Sequence, residues 1–274
     1  MTQPAVTFQI KQLEEHLDTR LFERGHGRIS LTPAGELVFE YAGRILALSD
    51  EMETRLAEMT GQMRGTLRVG ASTMIAETFL PRILGEFNSL YPQVQARLTV
   101  ANSEGIEAHI AEHSLDVGLI ESGTRQPGLQ SEGCCDDELL VICTPDHPLG
   151  ALPSVTPRAL LDYEFVSREP GSGTREIIDA FFREAGAPPE KLKTLMELGS
   201  VEALKGVVAT GLGFAIVSRA SIARELKLGT LVAIPLEPRL MRRLWLIYPR
   251  ERFRSRIAAT FIEFSRRRLR ELAA

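Results

Sequence analysis

The chain has 274 residues, enough for roughly two or three compact units, and its 44% hydrophobic and 25% charged residues match a soluble globular protein. A formal net charge of -4 excludes a cationic field over the whole molecule, so nucleic-acid binding would have to rest on a local surface. Three cysteines, with Cys134 next to Cys135, have no metal-like spacing and suit a reducing cytoplasm; neither a signal pattern nor a membrane-length apolar run is present.

Thr2-Gln3-Pro4-Ala5 predicts a helix start, because proline is tolerated in a first turn, where N–H groups lack helical partners anyway. Val6, Ile10, Leu13 and Leu17 are expected to form its buried side, leaving Gln3, Thr7, Phe8 and Lys11 exposed. Arg24 and Arg28 flank a turn at Gly25-His26-Gly27, and Leu31-Thr32-Pro33-Ala34-Gly35 opens a second helix. Over residues 1–32 four cations (Lys11, Arg20, Arg24, Arg28) balance four acids (Glu14, Glu15, Asp18, Glu23), so charge alone does not nominate DNA. From residue 33 to 60, Leu37, Tyr41, Ile45, Leu48, Met52, Leu56 and Met59 recur at spacings of 4, 4, 3, 4, 4 and 3. That single apolar stripe is too long for one small domain to cover, and a second copy of the helix would cover it.

After Gly65 the pattern changes to alternating strands (66–70, 94–100, 116–120) and helices (79–91, 106–113), which predicts a parallel sheet covered by helices with ligand sites at strand C-terminal ends. A strand at 138–143 is followed by Thr144-Pro145-Asp146-His147-Pro148-Leu149 and a second unit: a strand at 165–166, a helix at 175–185, a strand at 193–198, a helix at 201–210 and a strand at 213–217. Residues 243–248 read as a return strand. Cys143 reads as a small buried strand residue. In the C-terminal helix Ile257, Phe261 and Phe264 share one face, and most arginines of 250–256 and 266–270 are expected on the solvated side.

The Thr2 to Glu14 stretch, the Gly-containing turn and the Thr32-Pro33-Ala34-Gly35 helix start together resemble a LysR-type transcriptional regulator, and the resemblance covers essentially the whole chain. It implies an α/β protein with a partial winged helix-turn-helix over residues 1–32 and a linker or dimerisation helix over 33–64. A two-subdomain effector-binding domain resembling the type 2 periplasmic binding proteins would fill 65–274, with subdomain 1 at 65–143 and 243–274 and subdomain 2 at 144–242. It further implies a cytoplasmic homodimer or homotetramer that binds promoter DNA, with no cofactor and no membrane partner. DNA contacts would come from Thr2, Gln3, Pro4, Thr7, Phe8 and Lys11, with Arg24 and Arg28 at the wing. Glutamine can read adenine bidentately, lysine can reach phosphate or guanine, and Pro4 and Ala5 suit a thymine methyl. Phe8 departs from the arginine common in the family, which should alter sequence preference. The family places a whole helix before this recognition helix, whereas here the chain opens on it, so specific DNA binding by this form is expected to be weak.

Four polar helix starts are expected to face the cleft between the subdomains: Ser72 and Thr73; Asn102 and Ser103; Arg168, Ser172, Gly173 and Thr174; and Ser200. Each alone is an ordinary cap. Together they form a donor-rich, hydroxyl-rich and cationic lining that favours a small oxyanion or carboxylate. Val6 to Glu14 combined with Ser167 to Arg175 is similar to the branch containing regulators of sulfur assimilation and of carbon fixation, for which sulfite, sulfate or a phosphorylated or carboxylated metabolite would be suitable effectors. Gly171-Ser172-Gly173-Thr174-Arg175 lacks the spacing and lysine of a nucleotide P-loop. Two rivals stand beside this reading. One is a small-anion binding protein without DNA-binding activity; the other is a zinc metallopeptidase, since His109, Glu112 and His113 fit H-x-x-E-H and a helix would place both imidazoles on one face. Neither a nucleophile elbow nor a dinucleotide fingerprint is present, and no catalytic residue is predicted.

Overall fold

The computed structural model describes residues 2–24, 29–124, 126–250 and 254–273. The chain divides into two compact units, Met1–Glu53 and Thr54–Ala274. In the first, helix α1 (Gln3–His16) leads to a small hairpin of β1 (Phe22–Arg24) and β2 (Ile29–Leu31), and helix α2 (Pro33–Met59) continues past the unit boundary. The Glu14 carboxylate accepts from the Leu21 and Phe22 N–H groups at 2.7 and 3.3 Å, which turns the chain from α1 into the hairpin. Thr32 donates its hydroxyl to the Arg20 carbonyl and accepts from Gly35 N–H at 3.0 Å, a side-chain cap for α2. Gly35 is needed here because a Cβ would lie 2.0 Å from the Leu21 carbonyl oxygen.

The second unit runs β3 (Gly65–Ser72), α3 (Thr73–Thr78), α4 (Leu80–Leu90), β4 (Val94–Ala101), α5 (Ser103–Ala111), β5 (Val117–Ile120), β6 (Leu129–Cys143), α6 (Pro157–Leu160), β7 (Glu164–Arg168) and α7 (Gly173–Glu184). It continues with β8 (Lys193–Leu198), α8 (Val201–Val208), β9 (Ala215–Ser218), α9 (Ala223–Leu228), β10 (Val232–Pro249) and α10 (Arg256–Ala273). One sheet has the order β4-β3-β5-β10-β6-β9, and β7 and β8 form a separate parallel pair. The β3, β4 and β5 strands are parallel, as the β/α alternation predicts. The strands expected at 138–143 and 243–248 are only the ends of β6 and β10, an antiparallel pair that extends through both halves of the domain. Short apolar runs mark strand interiors, whereas the polar stretch at 130–138 carries strand geometry without an apolar pattern, and sequence periodicity misses it.

In the first half Leu80, Ile83 and Phe87 of α4 are buried, and the Phe87 ring meets Phe261 and Phe264 of α10 edge-on at 5.1 and 5.5 Å. Each such buried side chain contributes about 1.5–3 kcal/mol, and aromatic pairing adds to it. Most of the described arginines of 250–256 and 266–270 are exposed, as expected, but three of those on α10 also bridge to neighbouring elements. Arg268 is paired with Glu86 of α4 at 2.6 Å, Arg270 donates to the Cys134 carbonyl at 3.0 Å and Arg266 lies 3.5 Å from Glu132, so these long side chains clamp α10 to its neighbours. The three thiols are free, and burial pushes Cys134 and Cys143 up to about 11 and Cys135 to about 12. Among the described residues no helix is long and apolar enough to cross a membrane.

Between the halves, His147 caps the 3-10 turn Pro148–Ala151 by accepting the Leu149 N–H on Nδ1 at 3.2 Å. That bond needs an unprotonated Nδ1, and burial holds the imidazole below its usual value. With the folded value depressed, the unfolded chain takes up the proton first as pH falls from about 6.5, so this stability is present above that pH and is lost below it. Substituting His147→Asn keeps an N-cap acceptor and removes the titration. Urea midpoints measured from pH 7.5 to 5 should therefore fall less for the variant than for the wild type; parallel curves would refute a titrating cap.

Candidate functional site

The strand ends of the second unit bring most of the predicted effector residues to one place. Ser72 ends β3, is 2% exposed, and its Oγ has no hydrogen-bond partner among the described residues; Thr73 follows, half-buried, as the first residue of α3. Asn102 follows β4, where its Oδ1 accepts from Gly105 N–H at 2.9 Å and its Nδ2 donates to the Pro170 carbonyl of the opposite half at 3.1 Å. Glu104 N–H reaches the Gly171 carbonyl at 3.4 Å. Buried Ser103 donates to Glu121, which follows β5, at 2.8 Å.

From the second half, Arg168 ends β7 and is buried, with its guanidinium gripping Glu169 at 2.8 and 3.0 Å and donating to the Leu198 and Gly199 carbonyls. Its Nη1 has no hydrogen-bond partner among the described residues. Ser172 occupies the cap position of α7 without a side-chain capping bond. Gly173 packs against the first half, where an added Cβ would lie 2.7 Å from Ser103 Oγ and 3.2 Å from Glu121 Cβ. The Thr174 hydroxyl accepts from Arg242 Nη1 at 2.7 Å. Ser200 caps α8 by accepting from Ala203 N–H and donates to Glu77 of α3 at 3.2 Å.

The cleft is thus less cationic than expected, because Glu77, Glu121 and Glu169 occupy donors that sequence reasoning left free. Glu121 could have been found, since it follows a predicted strand as Ser72 and Asn102 do. Asp137, Arg242 and Ser218 could not, because the strand register that joins them is a tertiary fact.

On the first unit, Gln3, Pro4, Thr7, Phe8 and Lys11 line a common shallow groove on one face of α1, and Thr2 stands before the helix. Phe8 is 61% exposed; the Thr7 hydroxyl is turned back onto the Gln3 carbonyl, and Lys11 lies 3.6 Å from Glu15. Arg24 ends β1, while Arg28 and the Gly25-His26-Gly27 turn lie outside the described residues. The expectation that Val6, Ile10, Leu13 and Leu17 are buried is corrected: α1 has no buried residue, because in the single chain no described element covers that face. The stripe from Leu37 to Met59 on α2 is exposed along its whole length.

The metallopeptidase geometry fails. Helix α5 ends at Ala111, Glu112 is its C-cap and His113 adopts φ 60°, so the two imidazoles are not carried on one helical face; among the described residues no acid, histidine or cysteine cluster could hold a metal ion.

Residues 1–36 match the family described as bacterial regulatory helix-turn-helix protein, lysR family, and residues 60–270 match the LysR substrate binding domain. The first match weighs against a binding protein lacking a DNA-reading head. A probable RuBisCO transcriptional regulator of Cyanidioschyzon merolae is 36% identical over 267 residues, covering 96% of this chain and 88% of its own length. The RuBisCO operon transcriptional regulator of Allochromatium vinosum is 35% identical over 265 residues, covering 96% and 86%. Among solved structures, the regulatory domain of Synechocystis CcmR in complex with 2-PG superposes with a TM-score of 0.68 at 28% identity, covering 74% of this chain and 96% of that one. CbnR, a LysR family transcriptional regulator, gives a TM-score of 0.73 at 21% identity and covers 98% of this chain and 90% of its own, a likeness of fold.

The tight seat of Gly173 predicts a contrast between two helical glycines. Gly173→Ala should cost about 1–3 kcal/mol by overpacking against Ser103 and Glu121. Gly206→Ala, with open space around it, should gain about 0.5–1 kcal/mol from helix propensity. Calorimetric melting of the two proteins checks this, and equal shifts would contradict the close approach.

Proposed function

The chain belongs to the LysR family of bacterial helix-turn-helix regulators, and from that premise we propose that it switches transcription in response to a small anion held between the two halves of its effector-binding domain. It is a DNA-binding transcription regulator and not an enzyme. In our division, residues 1–32 read DNA through Thr2, Gln3, Pro4, Thr7, Phe8 and Lys11, with Arg24 and Arg28 at the wing. Residues 33–64 associate two copies, and residues 65–274 bind the effector. A family role on promoter DNA supports a cytoplasmic location.

The observation that carries the effector reading is a set of buried donors left over after the cleft's internal bonds are made. Among the described residues Ser72 Oγ and Arg168 Nη1 have no partner, and buried polar groups without partners are uncommon in folded proteins. An oxyanion presents several acceptors to such donors, whereas an apolar ligand would leave them unpaired at about 1–3 kcal/mol each. Relatives named as RuBisCO regulators, and a regulatory domain solved with 2-PG, favour a phosphorylated or carboxylated metabolite over sulfite or sulfate. The effector acts by binding one arrangement of the assembly more tightly than another, since equal affinity would shift nothing.

Melting curves with 2-PG, inorganic phosphate, sulfate, sulfite and small dicarboxylates test the reading. A ligand at about 100 times its dissociation constant should stabilise the fold by roughly 2.7 kcal/mol. The shift should shrink in Ser72→Ala and Thr73→Ala; a full shift in both variants would put the anion elsewhere, and an uncharged apolar compound acting alone would refute an anion site.

The exposed α2 stripe predicts self-association. Leu48→Asp with Met52→Asp should lower the mass measured by light scattering while leaving the effector-binding domain folded. An unchanged mass would remove α2 from the interface.

A further inference from the structure

We propose that Arg242 is a positioning residue for effector binding, fixing the Thr174 hydroxyl as a hydrogen-bond donor to an anionic ligand. The inference rests on the anion reading of the cleft and adds to it how one of the donors is made.

Arg242 of β10 stands directly opposite Asp137 of β6 in the register of the two long strands. Both side chains are buried, 0% and 3% exposed. Arg242 Nε and Nη2 lie 2.8 and 2.7 Å from Asp137 Oδ2, and Ser218 at the end of β9 donates to Asp137 Oδ1 at 2.7 Å. The guanidinium charge is therefore met inside the pair, and what Arg242 has left to offer is geometry. A guanidinium presents its N–H groups in a rigid planar fork, so the Nε hydrogen bond to Asp137 Oδ2, with Nη2 close to the same oxygen but not hydrogen-bonded among the described residues, fixes where the third nitrogen points. That third nitrogen donates to Thr174 Oγ1 at 2.7 Å.

A hydroxyl that accepts from a cation must turn its own proton elsewhere, because the proton and the donated N–H cannot share one direction. Thr174 is 3% exposed, and no described residue accepts that proton. As the second residue of α7, Thr174 also lies where backbone N–H groups have no helical acceptor. Its neighbour Gly173 seats this helix start against Ser103 and Glu121 of the opposite half. A buried hydroxyl is thus oriented as a donor at the junction of the two halves. The next residues on the same strands supply a contrast. Arg243 and Asp136 form the same cross-strand pair at 2.9 Å, but both are more than half exposed, and among the described residues neither makes a further side-chain bond. A surface pair of that kind contributes little. The inner pair differs by its third bond.

Wild type and four variants of the full chain would be titrated calorimetrically with 2-PG and with inorganic phosphate. The variants are Arg242→Lys, Thr174→Val, Thr174→Ser and the double variant Arg242→Lys with Thr174→Val. Lysine keeps the charge beside Asp137 but cannot hold Asp137 and Thr174 in one fork. Arg242→Lys and Thr174→Val should each weaken binding roughly tenfold, the double variant no more than either alone, and Thr174→Ser should keep the wild-type affinity. A merely structural role would weaken binding by the same factor whether residue 174 carries a hydroxyl or not. Additive losses, or an unchanged dissociation constant in Arg242→Lys, would overturn the proposal. If Arg242→Lys does not fold, Arg242→Gln with Asp137→Asn removes both buried charges together and takes its place with the same expectations. Absence of binding by the wild type to either anion would count against the anion reading itself and overturn the proposal with it, a result read before any variant is compared.

Discussion

The Asp137–Arg242 ion pair is the constraint on which the effector-binding domain depends. It lies where the two strands that connect the halves run side by side, and it is closed off from water on every side. Such a pair adds little net stability, since desolvating two charges offsets most of their attraction, but losing one partner leaves a buried charge at a cost of about 3–5 kcal/mol. The pair therefore acts as a register lock. A slip of one residue in β10 would place Arg243 inside and Arg242 in solvent. Ser218 and Thr174, which bond to the pair from β9 and α7, tie the second half of the domain to the same reference point.

From that reference point the cleft can be read as a balance of donors and acceptors. Ser103 is taken by Glu121, Ser200 by Glu77, and two nitrogens of Arg168 by Glu169. Asn102 binds the Pro170 carbonyl. These bonds join the halves or stiffen the loops around them, and they remove most of the charge that a count of polar residues would assign to a ligand. In the proposed site, recognition would fall to a few buried neutral or internally paired donors whose directions are fixed. Interactions made in that setting are screened by salt much less than surface ion pairs are. Selectivity comes from where the donors point and much less from net charge.

Local patterns in the sequence identify the β/α alternation, the long apolar stripe and the polar residues after each strand, because period and helix-start chemistry are written in neighbouring residues. The Thr32-Pro33-Ala34-Gly35 start is legible for the same reason: the cap and the small residue that the helix needs lie within four positions. The full extent of β6 and β10 is not legible. Their polar central residues pair across the sheet with each other, so the burial pattern belongs to two segments over one hundred residues apart. The α1 face carrying Gln3, Thr7, Phe8 and Lys11 reads correctly as exposed, while its apolar face reads as buried and is not, since amphipathic spacing specifies that a face seeks cover without supplying what covers it. The α10 arginines read correctly as mostly solvated, while their partners are not legible. Long side chains reach back over a helix to carboxylates and carbonyls of α4 and β6 that the helix pattern does not contain.

The three free cysteines, two of them buried, carry a chemical consequence of their own. A thiol that ionises near 11 or 12 is thiolate in about one molecule per ten thousand or fewer at neutral pH, and the thiolate is the form that reduces peroxides or exchanges with disulfides. Cys134 and Cys135 lie next to each other, but burial places both in their least nucleophilic state, and Cys143 sits in a strand interior. The three sulfurs therefore lack the depressed pKa that favours attack on oxidants and disulfides, and their part in the domain is to fill its interior beside the strands that carry them.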